Sequence, residues 1–98
     1  MRVRFMPQAG DEVVQATAYY LDQSSTVADE YLADIADATD LLLRFPHAGS
    51  PVAGKARRLI LKTFPYQLIY RVEGEEIRIY AVAHLKRKPG YWRTRLRR

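Results

Sequence analysis

The apolar side chains of this chain change period once, across the stretch FPHAGSPVAG at residues 45–54. Before it, Val13, Thr17, Tyr20 and Leu21 recur at helical spacing, and Tyr31, Ile35, Ala38, Leu42 and Phe45 do so again. After it, RRLILK (57–62), YQLIYRV (66–72) and EIRIYAVAH (76–84) read as strands, with Phe64-Pro65 bending the chain between the first two. Two prolines and two glycines make the changeover stretch a loop. Helices first and strands afterwards constrain the chain to an α+β architecture. Each kind of element carries one apolar face that must be covered by the other.

The N-terminus adds one more strand, because Val3 and Phe5 alternate with Arg2 and Arg4 through Met6. Pro7 and the acidic pair Asp11-Glu12 suit a helix start, which predicts a first helix over about 8–22. QSST breaks that helix, and Thr26 with Asp29 has the spacing of a capping box for a second one over about 27–45. Asp29, Asp34, Asp37 and Asp40 fall mostly outside its apolar stripe. A Gly-containing EGE link predicts a hairpin between the last two strands. The expectation is one domain, residues 1–98, holding an N-terminal strand, a helical hairpin and a C-terminal three-strand meander on one core.

Charge is divided along the chain. Residues 1–54 carry three basic and eight acidic side chains, a balance of −5, whereas residues 55–98 carry thirteen basic and three acidic, a balance of +10. A basic second half points to an acidic or polyanionic partner, and the bland alternative is that the acidic helices neutralise a basic sheet. Cysteine is absent, so no disulfide or thiolate metal site contributes, and a reducing compartment is compatible. No apolar segment of signal-peptide type precedes Pro7, and the longest apolar run, Ile79 to Ala83, is too short to span a bilayer. The chain therefore reads as soluble and intracellular.

Glycine-rich phosphate loops, paired histidines and Cys/His clusters are all missing from the sequence, and nothing marks a nucleophilic serine. No cofactor and no metal are expected. What remains is His84 near a strand end, able to move a proton near neutral pH. Arg57 or Arg58 and Arg87 can hold a phosphate, and Tyr91 can donate a proton or stack on a base. These are the parts of metal-independent RNA cleavage by attack of a ribose 2′-hydroxyl. Each also has a structural reading. His84 can be a hydrogen-bonded strand end, the arginines can be solvated strand edges, and Tyr91 with Trp92 can anchor the C-terminal segment by burial. No carboxylate lies between Asp40 and Glu73, so an acid–base partner for His84 must come from far along the chain.

The stretches FMPQAGDEVVQATAYY, ADEYLADIADATDLLLRFPHAG, RRLILKTFPYQLIYRV and IRIYAVAHLKRKPGYWRTR resemble, in their joint order and spacing, the RelE/ParE toxin superfamily of type II toxin–antitoxin systems. The resemblance runs over about residues 3–95. Its most specific parts are Pro46 with Gly49, Arg57/Arg58, Phe64-Pro65-Tyr66 leading to Tyr70, and His84, Arg87, Pro89, Tyr91, Trp92 and Arg95. It implies a helical hairpin on a twisted antiparallel sheet, a bacterial cytoplasmic location and a cognate antitoxin, acidic and bound as a hetero-oligomer. ParE-like members inhibit DNA gyrase, whereas RelE-like members cut mRNA on the ribosome.

The resemblance implies catalytic roles for Arg58, His84, Arg87 and Tyr91 only if the chain is a nuclease. It implies target or antitoxin binding for Lys55, Arg57, Arg58, Arg87, Tyr91, Trp92, Arg93 and Arg95. The glutamate of the Glu/His nucleases and the lysine-rich catalytic strand of the RelE type are absent, with Lys55 and Lys62 as partial substitutes. The expectation therefore leans to a ParE-like gyrase inhibitor. A ribosome-dependent endoribonuclease is the alternative, and a nontoxic binding protein the third reading. Within the ending, His84 to Lys86 should finish the last strand, Pro89 to Trp92 return the chain to the sheet, and Arg93 to Arg98 present a basic surface.

Overall fold

Strand β1 (Arg2–Phe5) leads through Met6 into helix α1 (Pro7–Leu21), in a computed structural model that describes residues 1–97. Pro7 occupies the first helical turn, where its missing N–H costs nothing and its fixed φ favours the helix. The face that α1 buries is built on Ala9 and Ala16, with Val13 and Tyr20 partly covered. Leu21, predicted to point inward, is exposed, and Tyr20 takes the inward position among Tyr31, Phe64 and Tyr66.

Helix α2 (Ser25–Arg44) begins two residues earlier than the spacing predicted. Its cap is Ser24, whose extended backbone lets the hydroxyl accept the N–H groups of Thr26 and Val27 at 3.1 and 3.4 Å. Thr26 is therefore already inside the helix and caps nothing. The buried stripe of α2 holds Tyr31, Ile35, Ala38 and Leu42 as expected, but Asp34 lies within it as well. Its carboxylate accepts the N–H groups of Thr63 at 3.0 Å and Phe64 at 2.7 Å, so an acid that periodicity placed outside is buried and closes a chain corner. Phe45 leaves the stripe because its non-helical backbone at the C-cap turns the ring outward, where it is 59% exposed.

The stretch predicted as loop contains a strand. Ser50–Ala53 (β2) pairs antiparallel with β3 (Ala56–Ile60), followed by β4 (Tyr66–Glu73) and β5 (Glu76–His84). Pro51 is tolerated because β2 is an edge strand with a register shift between Pro51 and Ala53. The meander thus has four strands rather than three, in a five-stranded sheet of order β1-β5-β4-β3-β2. Its first strand is parallel to β5, so the sheet is mixed rather than wholly antiparallel. The helical hairpin carries the chain away from β1, and no tight turn forces opposite directions on β1 and β5. β5 ends at His84, two residues earlier than expected, where Leu85 N–H bonds to Pro65 and Arg87 N–H closes a turn on His84.

Both faces of the sheet are covered. The helices pack on Leu68, Tyr70, Ile77, Ile79 and Val82. Ile69 faces the other side by simple alternation along β4, and an irregularity in the β4–β5 ladder, with Ile69 opposite Ala81 but Tyr70 opposite Ile79, turns Ala81 and Ala83 of β5 to that side as well. There, with Ala56, they meet the ring of Trp92. The chain after β5 therefore returns to the sheet as expected, and a 3-10 helix (Arg93–Arg97) continues from the tryptophan. Arg98 lies outside the described residues.

Candidate functional site

β1 accompanies β5 only from Glu76 to Ile79. Beyond that point Tyr80 to His84 have no strand beside them on that edge among the described residues, and their polar backbone groups need other partners. Glu12, in the second turn of α1, supplies one. Its Oε1 accepts Val82 N–H at 3.0 Å. Arg95 supplies another, its Nη1 donating to Tyr80 O at 3.1 Å and to Glu12 Oε1 at 2.8 Å. Arg95 Nη2 and the Tyr91 hydroxyl both donate to Glu12 Oε2. A side-chain clasp from the two ends of the chain thus takes the place of a missing strand.

The clasp sets the chemistry of Tyr91. Burial first, and then the Glu12 carboxylate, push the phenol up to about 12, while Arg87 and Arg95 pull against them. At neutral pH Tyr91 is a protonated donor committed to Glu12. The Arg87 guanidinium lies over its ring, 3.8 Å from the centroid.

His84 sits on the helix-facing side, in register with Tyr66, the two rings edge to face at 5.0 Å. Its Nδ1 accepts Lys86 N–H at 3.0 Å. In the neutral ring the proton then belongs on Nε2, which makes that nitrogen a donor. His84, Arg87, Glu12, Tyr19 and Tyr66 line one open cleft of about 220 Å³. Such a cleft can take an anion between an imidazole N–H and a guanidinium.

The first meander arginines lie elsewhere. Arg57 shares the helix-facing side with its register partner Tyr70, and donates to Gly49 O at 2.8 Å and His47 O at 3.4 Å. The Tyr70 hydroxyl accepts Gly49 N–H at 2.9 Å and donates to Pro46 O at 2.8 Å. A Cβ on Gly49 would meet Arg58 O at 2.6 Å and the Tyr70 ring at 2.8 Å, so this position requires a glycine by close approach. Pro46, Gly49, Arg57 and Tyr70 together form one loop anchor.

Arg58 is the next residue and points to the other face, in register with Ile69 and exposed. His84 and Arg58 are therefore on opposite sides of the sheet. Of the set predicted for cleavage, His84, Arg87 and Tyr91 come together and Arg58 does not. Of the predicted binding set, Lys55, Arg58, Arg87 and Arg93 are exposed, Trp92 is buried, and Arg95 is held by Glu12.

The residue that sequence reasoning missed is Glu12. Its place near the helix start suggests only an acid suited to that end, yet it lies between Ala9 and Ala16 on the buried face, and an acid on an apolar stripe is the signal that marks it. A larger cleft of about 430 Å³ separates α2 from β3, with Asp37, Asp40, Arg44 and Lys62 around its rim. Among the described residues no group of three or more His, Cys, Asp or Glu side chains is placed to hold a metal ion.

Residues 3–89 match the family model described as ParE toxin of type II toxin–antitoxin system, parDE. The chain belongs to the ParE toxin family. It is similar to Toxin ParE2 of Mycobacterium tuberculosis, in the CDC 1551 / Oshkosh and H37Rv strains alike, with 30% identity over 89 residues, covering 90% of this chain and 85% of the relative. Its fold matches a chain of the chromosomal ParDE TA system from P. aeruginosa at a TM-score of 0.74, with 20% identity, over 86% of this chain and 95% of that one. The ParE match includes Glu12, the Gly49–Tyr70 anchor and His84 but stops before Tyr91 and Arg95, so the clasp joins a matched helix to a segment outside the matched span.

Proposed function

We propose that this ParE-family toxin arrests bacterial growth by inhibiting DNA gyrase through a protein contact, and that a cognate acidic antitoxin neutralises it in the cytoplasm. The observation that carries the choice of target is the separation of Arg58 from His84 by the sheet. A phosphoryl-transfer site needs its charge-stabilising group and its proton donor around one reacting atom. Here Arg58 is on one face and the imidazole on the other, Arg57 on the imidazole's side is held by Gly49 O, and Tyr91 is engaged by Glu12, which leaves Arg87 alone beside His84. Inhibition through a contact surface needs no such convergence.

The cleft shared by His84 and Arg87 favours a second reading, a ribosome-dependent endoribonuclease that uses these two groups with Arg58 excluded. Controlled expression, followed in parallel by a gyrase supercoiling assay and by mRNA cleavage in a coupled translation system, separates the two. The proposal expects impaired supercoiling, an SOS response and intact mRNA. Cleavage at codon boundaries that disappears in His84→Ala would overturn it. Harmless expression without an antitoxin would overturn both readings and leave a binding role.

A further inference from the structure

The face of the sheet away from the helices carries a second charged array that uses neither His84 nor Arg87. Arg4, Arg78 and Arg71 are neighbours across β1, β5 and β4, and Arg2 and Glu76 form the adjacent pair. Strand spacing sets such neighbours about 5 Å apart. Glu76 holds Arg2 at 2.9 Å, Arg78 at 2.9 Å and Arg4 at 3.8 Å, while Glu73 holds Arg78 at 3.3 Å and Arg71 at 3.2 Å. Two carboxylates thus order four guanidinium groups and leave the array positive. Arg71 is an inward support, bonded to Leu96 O and the Tyr80 hydroxyl. The Arg2 and Arg4 side chains are 75% and 59% exposed. Exposed Arg58 on β3 and Arg93 and Arg97 on the 3-10 helix extend the same face.

We infer that this outer face binds the phosphate backbone of duplex DNA, at a site separate from the His84 cleft and independent of which enzyme the toxin inhibits. Its exposed cations, Arg2, Arg4, Arg58, Arg93 and Arg97, are all arginines, whose planar forks match phosphate oxygens. The ion pairs hold the array in position before any ligand arrives. Single-stranded nucleic acid is bound largely by stacking on exposed rings, but Trp92 and Tyr80 on this face are buried. A protein partner would need a cluster of apolar anchors; the exposed Val14, Tyr19, Leu21, Leu32 and Leu43 lie on the helices, on the opposite side, while among the described residues the strands expose one large apolar side chain, Ile60, at the end of β3. Exposed Asp29, Glu30, Asp37 and Asp40 on α2 would turn the helical side away from a polyanion.

The test is anisotropy of a short labelled duplex titrated with the antitoxin-free chain between about 50 and 200 mM salt. The logarithm of affinity should fall linearly with the logarithm of salt. Arg4→Gln and, separately, Arg97→Gln should each flatten that slope by about 0.9, the loss of one phosphate contact. Arg44→Gln on α2 removes the same charge from the helical side and should leave the slope unchanged. Arg97 touches no carboxylate in the array, so its variant keeps the test valid if Arg4→Gln perturbs the fold. Absence of duplex binding, equal weakening by Arg44→Gln, or tighter binding to a single strand of the same sequence would overturn the inference. So would Arg4-dependent capture of polyglutamate in preference to the duplex, which would mark an acidic protein as the occupant.

Discussion

Replacing Glu12 by alanine removes the acceptor on which three donors converge. The pair it forms with Arg95 is largely buried, the two side chains being 12% and 15% exposed. Breaking a buried ion pair by deleting one partner costs about 3–5 kcal/mol, because the other charge is left uncompensated. Arg95 keeps its bond to Tyr80 O and some contact with water, which places this case at the low end. Val82 N–H loses the acceptor that Glu12 supplies on the open edge of β5, and a buried unsatisfied donor costs about 1–3 kcal/mol. These losses overlap, and a total near 3 kcal/mol is expected. A chain of this size has about 5–15 kcal/mol of stability, so the loss is a large fraction of it. The melting temperature should fall by roughly 12–24 °C. Glu12→Gln keeps an oxygen for Val82 and should lose about half as much. Urea unfolding monitored by circular dichroism, with the m-value checked for constancy, measures both. A Glu12→Ala loss below about 1 kcal/mol, which is the worth of a solvent-screened surface pair, would refute the claim that the clasp closes the β5 edge.

Three further outcomes follow from the same geometry. Because burial and Glu12 raise Tyr91 above the ordinary phenol range, the unfolded chain loses that proton first as pH rises. Stability contributed by the neutral phenol is full below about pH 10 and lost towards about pH 12, and Tyr91→Phe should flatten that part of a stability-versus-pH curve. Trp92→Ala should cost about 3–5 kcal/mol in urea unfolding, since the ring closes the outer core over Ala56, Ile69, Ala81 and Ala83. Gly49→Ala should cost about 1–3 kcal/mol in thermal melts and weaken the Tyr70 anchor, because the added methyl meets Arg58 O at 2.6 Å.

Much of the candidate site was legible residue by residue and little of it as a constellation. His84 at a strand end, Arg87 beyond it, and Tyr91 with Trp92 as a returning anchor could be placed from spacing, because each depends on its near neighbours. Glu12 could not, since it meets Val82 and Arg95 across most of the chain and its partners are chosen by the packing of α1 on β5. The same limit hid Asp34, whose role exists only where the corner at Thr63 and Phe64 reaches α2. Arg57 and Arg58 were interchangeable in the sequence. Strand pairing separates them, binding one to the Gly49 loop and turning the other to the outer face.

By itself, the sequence determined the order of helices and strands, the period change near residue 45, the charge divided between two halves and the family resemblance. All of these are carried by local spacing and composition. Tertiary structure decided the direction of β1 against β5, the strand hidden at Ser50–Ala53, and which side of the sheet each arginine occupies. Register is the reason: side chains alternate with a period of two, and which strand pairs with which is settled by the whole core at once.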